Sequence, residues 1–319
     1  MAGRGRAGIT ALLDVAAVKD RPTAGTCGFA LGPRINAGGR ISEADLGLRL
    51  LLCQDPVEAR SLAERLDAVN RQRQHVEAAV LEAAMAEAAA QMAAGHAVLV
   101  VSGATWHPGV VGIVAGRLRE KFNRPACVGG HAEGMVKGSG RSVSGIDLGA
   151  AVIAARQSGL LATGGGHAMA AGFSYAPDRQ PALHAFLNER LAGVLDLPAR
   201  PHLDVEAAIS AGGTNLELAR NIARLAPFGP GNPEPVLVLR AVRVARSDRL
   251  GNDGNTVRAY VEADGARVKA LMFRAGDGPV ARALTDRAGG LLHLAGHARA
   301  ESWNGSESVG FFVQDAAAA

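Results

Sequence analysis

The sequence predicts an α/β fold followed by an all-β barrel, and three patterns support this prediction. Residues 57–94 contain neither glycine nor proline, which is typical of one long helix. Between residues 96 and 198, short apolar runs of strand length alternate with helical patterns, as in α/β domains. After Pro235, apolar runs are separated by turn sequences, which is typical of an all-β domain. A chain of 319 residues is long enough for two such domains.

The first 55 residues are expected to contain helices and one loop. Residues 7–18 carry a partial apolar face that predicts a short helix. Residues 29–41 are rich in glycine, so we expect a loop with left-handed backbone positions there. Residues 42–45 are candidates for the N-cap of a further helix. Pro56 then begins the long helix, whose apolar residues recur at helical spacing as far as Val80.

The segment after the long helix supplies the α/β pattern. The expected strands are short and apolar, and they cover residues 97–101, 126–130 and 135–137. The expected helices follow or separate these strands, at residues 106–122, 148–158 and 182–194. His107 could be a ligand, but a hydrogen-bonded His at a helix start is the commoner structure. Prolines at 198 and 201 mark a domain boundary.

Two glycine-dense stretches are the strongest chemical signal in this segment. Residues 137–142 read Lys-Gly-Ser-Gly-Arg-Ser, and residues 164–167 read Gly-Gly-Gly-His. We expect both to be turns, since glycine adopts positive φ and lets a ligand approach backbone N–H groups. Arg141 adds a planar fork that suits a phosphate. The two turns therefore predict an oxyanion-binding floor, with the alternative that the glycines only make tight turns.

The C-terminal third predicts a small barrel. Its expected strands have alternating apolar patterns and cover residues 236–245, 256–262, 267–273, 291–300 and 308–314. Turn sequences stand at residues 251–254 and 263–265, and a helix is expected at 279–287. Five strands with a helix after the third is the order of the OB fold, a partly open barrel that binds single strands.

Candidate nucleic-acid contacts in this third are aromatic or basic. The aromatic residues available for stacking on bases are Tyr260, Phe273, Trp303, Phe311 and Phe312. Several of them must lie in the core, so we expect few stacking positions. A larger share of binding is expected from Arg240, Arg243, Arg246, Arg258 and Lys269.

Composition sets the broad class. The net charge is +4, and most cations are arginine, which favours partners that carry phosphate. Cys27, Cys53 and Cys127 form no Cys-x-x-Cys pair, so we expect free thiols in a reducing compartment. No apolar run reaches 18 residues, so no membrane span is expected, and the default location is cytoplasmic.

Residues 138–142 (Gly-Ser-Gly-Arg-Ser), followed by residues 164–172 (GGGHAMAAG), resemble the DHH-associated domain of the RecJ family of bacterial 5′→3′ single-strand-specific DNA exonucleases. Three further stretches share this resemblance in the family's order, at residues 32–40, 227–235 and 303–305. The resemblance covers nearly the whole chain and implies a mixed-sheet DHH-associated domain joined by a long connecting helix, followed by an all-β OB-like barrel.

The resemblance also implies a domain order. Residues 1–55 would be the C-terminal remnant of a DHH domain, and residues 56–95 the long connecting helix. Residues 96–198 would be the DHH-associated α/β substrate-binding domain, and residues 199–319 a RecJ-type OB-fold domain with its linker. The expected partner is single-stranded DNA, in the context of DNA repair and recombination.

The resemblance implies that Ser139 and Arg141 bind the 5′-terminal phosphate of the DNA together with Arg40. His167 and the backbone N–H groups of Gly164–Gly166 would line the path just inside. The full set expected to bind DNA or its 5′-phosphate is Arg34, Asn36, Arg40, Ser139, Arg141, Ser142, Gly164, Gly165, Gly166 and His167.

Members of the family are two-metal phosphodiesterases, which implies paired Mn²⁺ or Mg²⁺ ions for a full-length enzyme. In the family the metals are held by a DHH domain named for its Asp-His-His motif, and neither that motif nor an Asp-x-Asp pair occurs here. We therefore expect no catalytic residue, metal site or cofactor in this chain, and no nuclease activity from it alone. The DHH domain is a possible partner as a separate chain.

Two other functions remain open at this point. The chain could be a free-standing nucleic-acid-binding module with no catalytic partner. It could also belong to a small-nucleotide DHH phosphoesterase or serve in aminoacyl-tRNA editing, since such relatives share the Gly-Gly-Gly-His sequence. The OB-like tail and the connector at residues 227–235 argue against the second alternative.

Overall fold

The computed structural model describes residues 5–196, 202–251, 254–286, 289–303 and 305–319. The chain divides into two compact units, residues 1–201 (unit 1) and 202–319 (unit 2). The predicted boundary at residues 198–201, the middle of the predicted turn at 251–254, the end of the predicted helix at 279–287, Asn304 and the side chain of Trp303 lie outside the described residues.

Unit 1 begins with helices and continues as an α/β sheet. Its helices are α1 (Ala7–Val15), α2 (Gly32–Ile41), α3 (Leu46–Leu52), α4 (Pro56–Ala93), α5 (Pro108–Phe122), α6 (Leu148–Gln157) and α7 (Gln180–Arg190). Its strands are β1 (Leu99–Gly103), β2 (Ala126–Ala132), β3 (Met135–Arg141), β4 (Thr163–His167) and β5 (Ala170–Tyr175). The expected long helix is confirmed.

Helix α4 begins where its sequence provides a cap. The Asp55 carboxylate accepts hydrogen bonds from the backbone N–H groups of Val57 (2.7 Å) and Glu58 (3.4 Å). The buried side of the helix packs first on the N-terminal helices and then on β1 and α5, through two separate apolar clusters. One continuous helix therefore supports both parts of unit 1.

Within the described residues, the sheet of unit 1 has five strands in the order β1-β2-β3-β5-β4. Strands β1 and β2 are parallel, and every other neighbouring pair is antiparallel, so the expected mixed sheet is confirmed. Helix α5 packs on one face, against β2 and β3, while α6 and α7 cover the other face.

The expected loop at residues 29–41 is wrong. A π-helical segment, Thr26–Leu31, leads directly into α2. The glycines of α2 serve close packing, since a Cβ at Gly38 would lie 2.6 Å from the Glu43 carbonyl oxygen. Ser42 is the C-cap residue of α2. Asp45 stands at the N-cap position of α3, within the expected residues 42–45, but its side chain makes no capping hydrogen bond.

The two glycine-dense stretches are strands, and the prediction that both are turns is wrong. Residues 137–141 lie in β3, and residues 164–167 lie in β4. The glycines make room for side chains packed on the sheet. A Cβ at Gly138 would lie 2.1 Å from the Phe173 ring, and one at Gly140 would lie 2.6 Å from Leu148 Cδ2.

Unit 2 is the expected OB-like barrel. Its strands are β6 (Ala207–Ile209), β7 (Leu237–Leu250), β8 (Thr256–Ala263), β9 (Ala266–Phe273), β10 (Leu292–Trp303) and β11 (Ser306–Ala318). Its helices are α8 (Leu216–Ala223) and α9 (Pro279–Thr285). In the described part of the unit, the sheet order is β10-β11-β9-β8-β7-β6, and a β10–β7 pairing closes it. The sequence did not predict the short strand β6, and it predicted shorter strands than β7, β10 and β11.

Candidate nucleic-acid interface

Strands β3, β5 and β4 place the predicted residues on one face of the sheet of unit 1. Ser139 lies opposite Gly172, which in turn lies opposite Gly165. Arg141 and His167 both lie opposite the same residue of β5. Directly opposed residues project to the same side of a sheet. The register therefore joins Ser139, Arg141, Gly165 and His167 into one surface, which we call the glycine face.

The glycines of this region fall into two groups. A Cβ at Gly164 would lie 2.9 Å from Leu161 Cδ1, and one at Gly166 would lie 2.4 Å from the Ala170 carbonyl oxygen. A Cβ at Gly165 or Gly172 would meet no described atom within 4 Å. The first group is needed for packing, whereas the second leaves the glycine face open.

The guanidinium of Arg141 lies next to Gly112 of α5. Its Nη1 donates hydrogen bonds to Ser139 Oγ and to the Gly140 carbonyl oxygen, both at 2.8 Å. A Cβ at Gly112 of α5 would lie 3.2 Å from both Arg141 Nη2 and Ser139 Oγ. The missing side chain at Gly112 thus makes room for the predicted pair.

Arg141 stands among other cations. Burial lowers the pKa of its guanidinium, and the neighbouring charges of Arg40 and then Arg119 lower it further. Arg40 Nη1 donates to the Gly109 carbonyl oxygen at 3.1 Å. Within the described residues, neither Arg40 nor Arg141 forms an ion pair with a carboxylate. Like charges held close together without a counter-ion create a positive potential that attracts anions.

Arg119 is the residue that the sequence analysis missed. It lies on α5, seven positions after Gly112 and therefore on the same side of that helix. Its carboxylate neighbour is Glu120, at 3.5 Å. The signal was present in the sequence, because Gly109, Gly112 and Arg119 recur at helical spacing.

The remaining predicted residues have other surroundings. Arg34 Nε donates to Asp67 Oδ1 at 2.9 Å, and Nη1 donates to the Ala30 carbonyl oxygen at 2.7 Å. This ion pair joins α2 to α4. Ser142 is buried, and its hydroxyl donates to the Ile146 carbonyl oxygen at 2.7 Å. Asn36 is exposed on α2.

No group of three or more His, Cys, Asp or Glu side chains in the described part of the chain is arranged to hold a metal ion. Among the described helices, none is both long and apolar enough to cross a membrane. His107 caps α5, since its Nδ1 accepts from the Gly109 N–H at 3.0 Å.

Unit 2 presents a different surface, built from rings. Phe273 is exposed, and its ring centroid lies 5.8 Å from that of Phe312. The Arg299 guanidinium carbon lies 5.0 Å from the Phe312 centroid, and that of Arg258 lies 5.9 Å from the Tyr260 centroid. We call Phe273 and Phe312 the ring pair.

Most cations on this unit already have partners. Arg246 and Arg258 both pair with Asp248, and Lys269 pairs with Glu301. Arg240 and Arg243 are exposed without a carboxylate partner among the described residues. The expected dominance of basic contacts in unit 2 stays a prediction, and the pairing of these cations weighs against it.

Two family models match the chain. The DHHA1 domain model matches residues 95–193, and the RecJ OB domain model matches residues 205–315. The single-stranded-DNA-specific exonuclease RecJ of Bacillus subtilis is 31% identical over 295 residues, which are 92% of this chain and 37% of that protein. RecJ of Dickeya dadantii is 37% identical over 249 residues, covering 73% of this chain and 42% of that protein.

The fold is shared with a solved structure. The crystal structure of RecJ from Thermus thermophilus in complex with Mn²⁺ matches with a TM-score of 0.80 at 30% identity, over 98% of this chain and 44% of that chain. The chain thus spans less than half the length of the RecJ proteins that it matches. It is a RecJ-like protein that corresponds to the part of RecJ containing the DHHA1 and OB domains.

Proposed function

We propose that this chain is the substrate-binding portion of a 5′→3′ single-stranded-DNA exonuclease that acts in DNA repair and recombination. In this proposal Arg141, Ser139 and Arg40 hold the 5′-phosphate of the strand, and Arg119 adds a further positive charge. The observation that carries the proposal is that Arg40 and Arg141 lie close together without a carboxylate partner among the described residues, beside the open glycine face.

The chemistry of a terminal phosphate matches this cluster. A phosphate monoester carries close to two negative charges and three acceptor oxygens. It therefore calls for more than one forked donor, together with a hydroxyl group. Arg141 and Ser139 are already joined by a hydrogen bond of 2.8 Å, so both donors are held in place before a ligand arrives. His167 and Gly165, on the same face, are the proposed next contacts along the strand.

The domain order is part of the same proposal. Residues 1–55 would complete a DHH domain, and Mn²⁺ or Mg²⁺ would be bound by residues outside this chain. The DHH domain would be supplied either on the same polypeptide or as a separate chain in the cytoplasm. In this arrangement Arg34 is a positioning residue, because its ion pair with Asp67 fixes α2, which carries Arg40.

The experiment compares 5′-phosphorylated with 5′-hydroxyl oligonucleotides in equilibrium binding to the full chain. A charge-assisted hydrogen bond is worth roughly 1.5–3 kcal/mol, so Arg141→Ala should reduce the preference for the phosphorylated strand by about tenfold to a hundredfold. Arg117→Ala is the matched control, because Arg117 is an exposed arginine of α5 that pairs with Glu120. An Arg141→Ala variant that keeps the full preference would place the phosphate site elsewhere.

A second experiment separates this function from a free-standing binding module. The chain alone should release no nucleotides from single-stranded DNA in Mn²⁺. Addition of a RecJ DHH domain, fused or as a separate polypeptide, should then produce release that depends on Arg141. Release by the chain alone that follows it through purification would contradict the proposal.

A further inference from the structure

The ring pair forms an apolar area on the outer face of unit 2. The side chain of Phe312 follows the buried core residue Phe311, and so it projects from the opposite, outer face of β11. Phe312 lies opposite Leu271 of β9, and Phe273 comes two residues later on the same face of that strand. Phe273 is 60% exposed. Two neighbouring rings thus form an apolar area that no described residue covers fully.

A fixed arginine extends this area. Arg299 lies with its guanidinium carbon 5.0 Å from the Phe312 centroid, and Glu234 holds it in a bidentate ion pair, with Nε to Oε1 at 2.7 Å. Hydrogen bonding with Glu234 raises the pKa of Arg299. Arg299 therefore stays protonated, its charge is balanced by the Glu234 carboxylate, and its flat guanidinium face lies beside the ring.

The connector before β7 determines where Glu234 stands. Asn232 Nδ2 donates to the carbonyl oxygens of Leu225 (3.0 Å) and Pro227 (2.9 Å), which closes the connector into a compact turn. On the other side of Glu234, the Pro235 carbonyl oxygen lies 3.0 Å from His297 Nδ1. The Glu234 side chain is only 14% exposed. Both ends of the short segment that carries Glu234 are thus anchored.

We propose that Phe273, Phe312 and Arg299 form a stacking platform for the bases of single-stranded nucleic acid, and that Glu234 is the positioning residue that holds Arg299 on it. This inference rests on the proposed function, which makes single-stranded DNA the ligand. Flat faces of rings and a guanidinium are what unpaired bases stack on, without reading their sequence. Bases of a duplex are already stacked and paired, so the platform selects single strands. A second cation–ring pair, Arg258 with Tyr260, extends the same face, since Arg258 also lies opposite Leu271.

The test measures binding of the full chain to two probes of equal length and charge. One is 5′-hydroxyl oligothymidylate, and the other is an abasic strand with the same phosphates. Stacking is worth about 1–3 kcal/mol per base, so Phe273→Ala should weaken oligothymidylate binding by about 5- to 150-fold and leave abasic binding unchanged. Phe29→Ala is the matched control, because Phe29 is 86% exposed in unit 1 and outside the platform.

The role of Glu234 needs a readout that simple charge removal would not produce. In Glu234→Gln, loss of a negative charge should strengthen binding of the abasic strand. Loss of the ion pair should release Arg299, so the ratio of oligothymidylate to abasic affinity should fall. If that ratio keeps its wild-type value in Glu234→Gln, Glu234 does not position the platform.

These measurements test the stacking platform independently of the phosphate site. Neither probe has a 5′-phosphate, so failure of the Arg141 experiment would leave these measurements interpretable. A wild-type protein that binds both probes equally would overturn the platform. So would a Phe273→Ala variant that keeps the wild-type ratio, since the rings would then serve another partner.

Discussion

The two sheets of this protein present two different surfaces to a ligand. On unit 1, Arg40 and Arg141 lie together without a carboxylate partner in the described structure, beside glycines that leave the sheet open. On unit 2, Arg258 and Arg299 are paired with carboxylates and lie beside the rings of Tyr260 and Phe312. The exposed ring of Phe273 is next to Phe312. Unpaired cations attract phosphate, whereas neutralised cations and rings offer flat faces to bases. Arginine residues on the two sheets therefore offer different chemistry to a ligand, depending on their partners.

The largest expected difference in stability lies between two rings of unit 2. Phe311 is fully buried in the core of unit 2, so Phe311→Ala should lower the free energy of unfolding of that unit by about 3–5 kcal/mol. Phe273→Ala should change it by less than about 0.5 kcal/mol, because the ring is mostly exposed. Denaturant unfolding of both variants checks this, and equal losses would show that Phe273 is a core residue.

The glycines of unit 1 offer the next largest contrast. A Cβ at Gly138 would overlap the Phe173 ring, so Gly138→Ala should lower the free energy of unfolding of unit 1 by roughly 1–3 kcal/mol. Gly172→Ala should leave stability nearly unchanged, since the position is open. Thermal or denaturant unfolding of the two variants distinguishes the two groups of glycine. A large loss in Gly172→Ala would mean that the glycine face is covered.

The salt dependence of DNA affinity should distinguish phosphate contacts on unit 1 from base stacking on unit 2. Loss of one phosphate contact should reduce the slope of log affinity against log salt by about 0.7 for a single strand. Arg141→Ala should show this reduction with a 5′-phosphorylated strand, whereas Phe273→Ala should weaken binding at an unchanged slope. Titrations at several salt concentrations check both. A slope that falls in Phe273→Ala would indicate that unit 2 also binds through phosphates.

The smallest expected effect is a pH dependence in unit 1. Burial lowers the pKa of His184, and the adjacent His96 lowers it further. The unfolded chain therefore takes up this proton at a higher pH than the folded chain does, so stability is lost as pH falls below about 6.5. His184 Nε2 lies 3.0 Å from the Val98 carbonyl oxygen. His184→Gln should flatten the loss between pH 7 and pH 5, as measured by unfolding midpoints, and an unchanged pH profile would contradict this.

Long, uniform patterns in the sequence predicted their structures well. The uninterrupted run after Pro56 is one helix, and the alternating runs after Pro235 are strands of a barrel. In such segments every residue favours the same structure, so local preference and tertiary packing agree. The prediction at residues 29–41 failed because glycine favours turns in isolation, whereas here Gly38 and Gly47 let α2 and α3 approach closely.

The sequence by itself determined the chain's two-part α/β and all-β organisation, the long helix, and the motifs whose residues reach the glycine face. The tertiary structure decided which glycines are open and that Arg34 is bound to Asp67, 33 positions away. It also decided that Arg119 joins Arg141, and that of two adjacent rings Phe311 is buried and Phe312 is not. The physical reason is that a missing Cβ, a counter-ion and a buried face are each defined by atoms distant in the chain. A local pattern specifies the residue, and only the folded chain specifies its neighbours.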